Sequence, residues 1–286
     1  MTIDQCPQEV AESYASLQFT DDFLFCKILT ENEDITKELL ELILGKKIGI
    51  VKSDKQKSIE ITEDGKGIRL DVYAEDDENQ IFDIKMQTTR QRDLPKRSRY
   101  YQAMIDLNQI NHGAEYRELK KSYIIFICMN DPFPKNGRHL YSFENICKEE
   151  HRLSLGDETY KVFLNSAGKK GDISDGLKDF LHLIRNGYGE SELSKKIEQQ
   201  VVKARKHDEW RQEYMTLYMR DKEKRAEGFE EGHEKGLEEG FEKARKSTIE
   251  NALIGGMTTD NIVKIFHYSP EEVKAIEAEL LTKSAK

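Results

Sequence analysis

Four polar residues on two consecutive strand-like segments have the types and spacing of a metal-ion site. Asp71 stands in an otherwise apolar segment, where a carboxylate must be paired, solvated at a cleft or bound to a metal. Asp83, Lys85 and Gln87 alternate along the next segment, so they share one strand face. A polar turn over 76–79 brings that face against Asp71. Oxygen ligands from neighbouring strands, with positions left for water and phosphate, form a Mg²⁺ site suited to phosphodiester cleavage.

The same carboxylates have a purely structural interpretation. Lys85 follows Asp83 by two positions, and Arg69 precedes Asp71 by two. Either cation could form a metal-free ion pair with these aspartates inside the fold. The residue types alone therefore leave a metal site and an internal salt bridge both open.

A run of basic residues follows this segment directly. Its members are Arg90, Arg92, Lys96, Arg97 and Arg99, with Asp93 as the single acid among them. Clustered Lys and Arg bind DNA phosphates, so this run and Gln102 are the candidate nucleic-acid contacts. The alternative is a solvated helix start that balances the acidic surface. Because the formal net charge is -9, DNA binding must depend on such a local patch.

Hydrophobic periodicity predicts the elements that position these residues. Apolar positions over 21–43 recur at helical spacing and indicate two helices broken near Asn32, with Gly45 as the stop. Three strand patterns follow and predict a meander. They cover residues 58–61, 68–74 and 81–86.

A second helix and further strands complete the predicted core. The helix covers about 96–110, and the apolar run 123–129 is typical of a central strand buried on both faces. Weaker strands follow at 140–143 and 160–164. The order of helix, three strands, helix and strand predicts an α/β domain, which we expect to end near Gly187.

Helical segments follow this domain. The predicted organisation is 1–187 for the α/β domain, 188–246 for a charged helical extension that starts with a helix at 193–220, and 247–286 for a small helical module. Glycines recur every four residues in the extension, at Gly228, Gly232, Gly236 and Gly240. A glycine stripe beside apolar side chains favours a self-associating helix pair, hence a homo-oligomer. The alternative is a solvated, partly frayed tether.

The remaining features narrow the function class. Ser269 and Pro270 predict a helix start near the C-terminus. The glutamates that follow would repel DNA phosphates, so this helix is not expected to recognise DNA. The four cysteines form no CxxC pair, and no segment is typical of a leader or a membrane helix. We therefore expect a cytoplasmic protein with reduced thiols and no membrane partner.

Three blocks of sequence resemble a known family. The blocks are FTDDFLFCKIL, RLDVYAEDDENQIFDIKMQTTRQRDLPKRSRYYQAMIDL and YIIFICMNDPF. They lie within residues 19–133 and are similar to the Rpn-type branch of the PD-(D/E)xK nucleases, the recombination-promoting nucleases or putative transposases. The resemblance implies a restriction-endonuclease-like core with a helical C-terminal extension. It also implies DNA cleavage with Mg²⁺ or Mn²⁺, associated with recombination or mobile elements.

The resemblance also assigns roles to single positions. Asp22 corresponds to the acidic residue of the first helix, Asp71 to the first strand carboxylate and Gln87 to the residue that stands in for the signature lysine. The chain departs at Lys85, where the family pattern, a DIEMQ-like string, has a metal-binding glutamate. Either Asp83 and Lys85 act as the (D/E)xK signature themselves, or Lys85 pairs with Asp71 and weakens metal binding.

Two functions follow from these alternatives. The first is a metal-dependent DNA endonuclease in which Asp71 and Asp83 bind the ion. Asp22 is then an auxiliary acid, and Lys85 or Gln87 positions the attacking water. The second is a catalytically inactive protein on the same fold that binds DNA or acts as an oligomeric assembly or regulatory protein.

Overall fold

The computed structural model describes residues 8–54, 58–59, 68–69, 71–110 and 113–284. The chain divides into two compact units, Met1–Met215 and Thr216–Lys286. The first is mixed α/β, as the sequence predicts, and contains every candidate site residue, whereas the second is helical. Within the described ranges, no helix is long and apolar enough to cross a membrane.

Helices and strands follow one another in the order expected of an α/β unit with a helical tail. The helices are α1 (Gln8–Ser16), α2 (Asp22–Glu31), α3 (Glu33–Leu44), α4 (Leu94–Gln109), α5 (Asp175–Asn186), α6 (Glu192–Ala204), α7 (Asp208–Ile254), α8 (Thr259–Phe266) and α9 (Pro270–Ser284). The strands are β1 (Lys52–Asp54), β2 (Ser58–Ile59), β3 (Ile68–Arg69), β4 (Val72–Glu75), β5 (Ile81–Gln87), β6 (Ser122–Cys128), β7 (Leu140–Phe143) and β8 (Thr159–Asn165).

One six-stranded sheet organises the first unit, in the order β1-β4-β5-β6-β8-β7. β4 and β5 pair antiparallel, which confirms the hairpin across the 76–79 turn. β5, β6 and β8 run parallel, and β7 returns antiparallel to β8 at the edge. β6 is therefore central and all seven of its residues are buried, as its apolar sequence predicts.

The pairings of the predicted meander are present, β2 with β3 and β4 with β5, but its middle strand is divided and β1 takes the place of β2 in the large sheet. β2 pairs with β3 in a separate two-stranded ladder, and β1 is the strand that pairs with β4. β1 has the sequence Lys-Ser-Asp, which is too short and too polar to give a period-two signal. Ile61 and Leu70, assigned to the predicted strands, lie outside the described residues.

The two faces of the sheet are covered by different helices. On β5, Phe82, Ile84 and Met86 point into the larger core, which also contains buried residues of α2, α3, α5 and α6. The opposite face packs against α4 through Leu94, Met104 and Ile105 on the helix. The odd-numbered side chains of β5 therefore lie between the sheet and α4.

Local signals place α2 and α3 where the sequence predicts them. The break between α2 and α3 falls at Asn32, whose side-chain amide donates to the Ile28 carbonyl oxygen at 2.7 Å. Gly45 ends α3 with a φ of 64°, a left-handed conformation that glycine adopts without strain. Both predictions are confirmed.

The helix expected over 193–220 is instead two helices. α6 ends at Ala204, whose carbonyl oxygen accepts a 2.6 Å hydrogen bond from the Tyr14 hydroxyl. Arg205 then bonds the Leu17 carbonyl oxygen through Nε and Nη2 at 2.9 and 2.7 Å. α6 packs into the larger core, so the compact unit extends past Gly187 to Met215.

The second unit contains most of α7 together with α8 and α9. α7 runs unbroken through the glycine repeat, where Phe229, Leu237 and Phe241 are exposed. The end of α7 packs with α8 and α9 around Ile249, Ile262, Val273 and Ile276. The predicted start at Ser269 is confirmed, because its hydroxyl accepts a hydrogen bond from the Glu272 amide at 3.1 Å.

Candidate functional site

A row of polar side chains lies on β5 beneath α4. Asp83, Lys85 and Gln87 are only 0%, 3% and 8% exposed. They share the sheet face of Ile81 and Phe126, which belong to the core under α4. The predicted common face is present, and it is buried from solvent rather than open along its length.

Asp71 completes this row from the neighbouring strand. β4 and β5 pair Val72 with Ile84, so the next step of the register sets Asp71 opposite Lys85. The Lys85 Nζ lies 3.2 Å from Asp71 Oδ1 and 3.8 Å from Asp83 Oδ1. The first contact is a hydrogen-bonded ion pair, whereas the second is ionic contact beyond hydrogen-bond length. The structure thus brings Asp71, Asp83 and Lys85 together, with the ammonium in contact with both carboxylates.

An aromatic ring from α4 covers the ammonium. The Lys85 Nζ lies 4.5 Å from the centroid of the Tyr101 ring, within the range of a cation–π contact. Burial acts to lower the pKa of Lys85, but the Asp83 and Asp71 carboxylates outweigh it and the pKa is raised above its ordinary value. Lys85 therefore stays charged inside the fold.

Asp83 has no exposed surface. Within the described residues, neither of its carboxylate oxygens has a hydrogen-bond partner. Burial raises the pKa of Asp83 to about 7, opposed by the positive charge of Lys85 and reinforced by the negative charge of Asp71. One ammonium balances one carboxylate, so the buried cluster is closest to neutral when Asp83 is protonated.

These residues do not fit a Mg²⁺ ion as they stand. In the part of the chain that the structure describes, no group of three or more His, Cys, Asp or Glu side chains is arranged to hold a metal. Two carboxylates are present, and both already contact an ammonium. A catalytic ion also needs room for water and phosphate, which a fully buried Asp83 does not provide.

Gln87 supports an arginine at the rim of this row. Its side-chain nitrogen donates to the Thr89 carbonyl oxygen and hydroxyl at 2.9 and 3.1 Å. Its side-chain oxygen accepts from Arg97 Nη1 at 3.3 Å. Arg97 also donates to Gln91, and its Nη2 donates to the Tyr101 hydroxyl at 2.8 Å. Gln87 therefore positions the Arg97 guanidinium, a role the sequence did not indicate.

The other predicted basic contacts lie in the same segment of the chain as this arginine. Arg90, Arg92, Lys96 and Arg99 are exposed, and Arg97 is half-buried. A cavity of about 640 Å³ opens beside them, and Gln87, Arg90, Gln91 and Arg92 contribute to its lining. We call the five basic residues and this cavity the basic surface.

Gln102 lies away from this cluster, and Asp22 is on a different helix, α2. Gln102 is 6% exposed, and its amide donates to Asp106 Oδ1 and Ser122 Oγ at 2.9 and 2.6 Å. Because Ser122 begins β6 whereas Gln87 ends β5, Gln102 is at the other end of the sheet and has a structural role. Asp22 is the first residue of α2 and is exposed.

From the sequence, Tyr101 is expected only to pack or reach into the cleft beside the basic run, and Gln91 has no predicted role. Tyr101 contacts both Lys85 and Arg97, and Gln91 is an acceptor for Arg97. The available signal was the spacing of Arg97 and Tyr101, four residues apart on a predicted helix, which places them on one face. Gln91 lies before α4 begins, so no periodicity could reveal it.

Comparison with known proteins identifies the family. The profile of the PD-(D/E)XK nuclease family transposases matches residues 19–170, more than half of the 286-residue chain. The chain therefore belongs to this family, as the resemblance implied, and its mixed α/β sheet is consistent with the family's fold. The comparisons with curated proteins and with solved structures give no match.

The shifted pKa of Asp83 predicts that stability falls as pH rises. The folded pKa of about 7 lies above the ordinary value of 3.8, so folding favours the protonated form. This contribution is complete below pH 4 and is lost as the pH rises through 7, at about 1.4 kcal/mol per pH unit. Urea unfolding of Asp83→Asn should show no such loss between pH 5 and 8. Asp172→Asn, an exposed control, should keep the wild-type slope, and an equal slope in all three proteins would contradict this account.

The ion cluster also predicts the effect of removing its cation. Lys85→Met leaves the Asp71 and Asp83 carboxylates facing each other without an ammonium. We expect a loss of about 3–5 kcal/mol of unfolding free energy at pH 8. Adding Asp83→Asn should recover a large part of that loss. If Lys85→Met unfolds at the same urea concentration as the wild type, the charge of Lys85 does not stabilise the folded protein.

Proposed function

We propose that the protein binds the phosphate backbone of DNA on its basic surface and hydrolyses it poorly or not at all. Its nuclease family supports DNA as the substrate class. The observation that carries the proposal is the position of Arg97, held next to the buried row of β5 by acceptors that carry no charge. The mobile-element or recombination DNA expected from the resemblance is the natural ligand in this proposal.

The charge of Arg97 is available to a ligand. Its three side-chain acceptors are two amide oxygens and a phenol, and among the described residues no carboxylate lies in salt-bridge contact with it. A guanidinium held in place but not neutralised favours a phosphate oxygen, because its donors lie in a fixed plane. The carboxylate in the adjoining cavity, Asp131, accepts from the Tyr141 hydroxyl and from the Phe133 and Gly137 amides, which stabilises the loop that carries it.

The cleavage chemistry of the family depends on more than binding. The Mg²⁺- or Mn²⁺-dependent endonuclease expected from the sequence would use Asp71 and Asp83 as ligands, and the ion would supply activated water and charge neutralisation. Here both carboxylates contact Lys85. We therefore favour the second predicted function, a nuclease scaffold that retains DNA. Its cytoplasmic location stays a prediction.

Binding to duplex DNA in the presence of EDTA tests this proposal. We expect affinity that falls steeply with salt, since each phosphate contact contributes close to one unit to the logarithmic salt slope. Arg97→Ala should weaken binding by about tenfold, or ~1.4 kcal/mol, and reduce the slope by about one unit. Fluorescence anisotropy with a labelled duplex measures both quantities.

Arg117→Ala is the matched control, because Arg117 is exposed, pairs with Glu115 and lies outside the basic surface. It should bind DNA as the wild type does. Salt-independent binding, or equal losses in the two arginine variants, would refute the assignment of the basic surface.

A second proposal concerns assembly. We propose that α7 pairs with α7 of a second copy through the glycine repeat. Phe229, Leu237 and Phe241 are 77%, 49% and 70% exposed along the same repeat, and a group of exposed apolar side chains marks an interaction site. At Gly228, Gly232, Gly236 and Gly240, an added Cβ would meet nothing within 4 Å, so a second backbone has room to approach.

Light scattering of the full chain tests the pairing. The wild type should have at least twice the monomer mass, and the double variant Phe229→Glu, Phe241→Glu should be monomeric. Glu231→Gln, elsewhere in the same repeat, should leave the mass unchanged. A monomeric wild type at all concentrations would rule out self-association by α7.

A further inference from the structure

Asp71, Asp83 and Tyr101 form a binding site for a positive charge. The Lys85 ammonium of the same chain occupies it. Two carboxylates, Asp71 and Asp83, lie 3.2 and 3.8 Å from the Lys85 ammonium, and the Tyr101 ring covers it at 4.5 Å. Two carboxyl groups and an aromatic face together are a good environment for a positive charge. Lys85 is 3% exposed, so water contributes little to solvating it.

A divalent ion and this ammonium exclude each other. Mg²⁺ binds oxygen ligands at about 2.0–2.1 Å in octahedral geometry. Asp71 Oδ1 and Asp83 Oδ1 are the carboxylate oxygens that such an ion would need, and both are in contact with Nζ. An ion placed between them would meet the positive charge of Lys85 at the same short range, where repulsion is strong.

Asp83 is also unsuited to a working metal centre for a reason independent of Lys85. It has no exposed surface, whereas the Asp71 side chain is 26% exposed. Access to the row is therefore at Asp71 and at Gln87, which lines the cavity of the basic surface, and not at Asp83. A ligand that enters at Asp71 reaches that side chain and the residue opposite it before it reaches Asp83.

We propose that Lys85 is a built-in cation that replaces the divalent metal at this site. The chain then folds and binds DNA without metal, and it lacks the ion that would activate water. This inference deepens the proposed function. It explains why binding on the basic surface is not followed by efficient hydrolysis.

The strand register makes the inference testable by one substitution. Because position 85 is opposite Asp71, Lys85→Glu places a carboxylate where the ammonium now lies. Asp71 and the new glutamate would then face each other at an accessible part of the row. Lys85→Gln removes the charge and adds only a neutral amide oxygen, so it separates loss of repulsion from gain of a carboxylate.

Mn²⁺ binding to the full chain, followed by electron paramagnetic resonance in the absence of DNA, is the decisive measurement. The wild type should show no saturable binding in the millimolar range. Lys85→Glu should bind at least about tenfold more tightly, since even changes beyond the direct ligands alter metal affinity by about 10–100-fold. The double variant Lys85→Glu, Asp71→Asn should lose this gain.

Two results would overturn the inference. One is saturable Mn²⁺ binding by the wild type that Asp71→Asn abolishes. The other is a folded Lys85→Glu protein, checked by circular dichroism, that binds no better than the wild type. If Lys85→Glu does not fold, Lys85→Gln decides: it must bind Mn²⁺ better than the wild type, and equal binding overturns the inference. Because no DNA is present, these results are separate from those that test DNA binding.

Discussion

The structure of this site depends on one buried ammonium and the two carboxylates it contacts. Without Lys85, the antiparallel pair β4 and β5 would bring Asp71 and Asp83 together under α4 as uncompensated negative charges. Charges taken out of water need a partner with close contact, and a buried ion pair is strongly destabilised when one member is removed. The Lys85 ammonium is that partner, and it makes a metal ion unnecessary for a stable fold.

The same arrangement connects the buried row to the surface of the protein. Tyr101 contacts the Lys85 ammonium with its ring and the Arg97 guanidinium with its hydroxyl. Gln87, the last residue of β5, accepts from Arg97 as well. A single helix, α4, thus covers the internal cation and presents an external one. In our proposal, phosphate binding outside and neutralisation of charge inside fall to adjacent residues, so that DNA binding can persist when cleavage is lost.

Much of the fold could be predicted from the sequence, because the sequence signals for these elements are local. The α2–α3 break, the β4–β5 hairpin and the buried strand β6 each follow from spacing over fewer than about twenty residues. The alternation of Asp83, Lys85 and Gln87 likewise placed them on one face. The polar strand β1 was missed because it has no periodic signal, and Gln102 was misread because a long-range bond to Ser122 decides its position. Which cation meets Asp71 depends on strand register, which composition does not fix.

A crystal soaked in Mn²⁺ tests most directly whether the Lys85 ammonium takes the place of a metal ion. Anomalous scattering locates manganese independently of any assumption about its ligands. We expect no anomalous peak between Asp71 and Asp83, and we expect the Lys85 side chain to be ordered between these two residues. A peak within bonding distance of Asp71, accompanied by displacement of Lys85 from the pocket, would contradict this expectation.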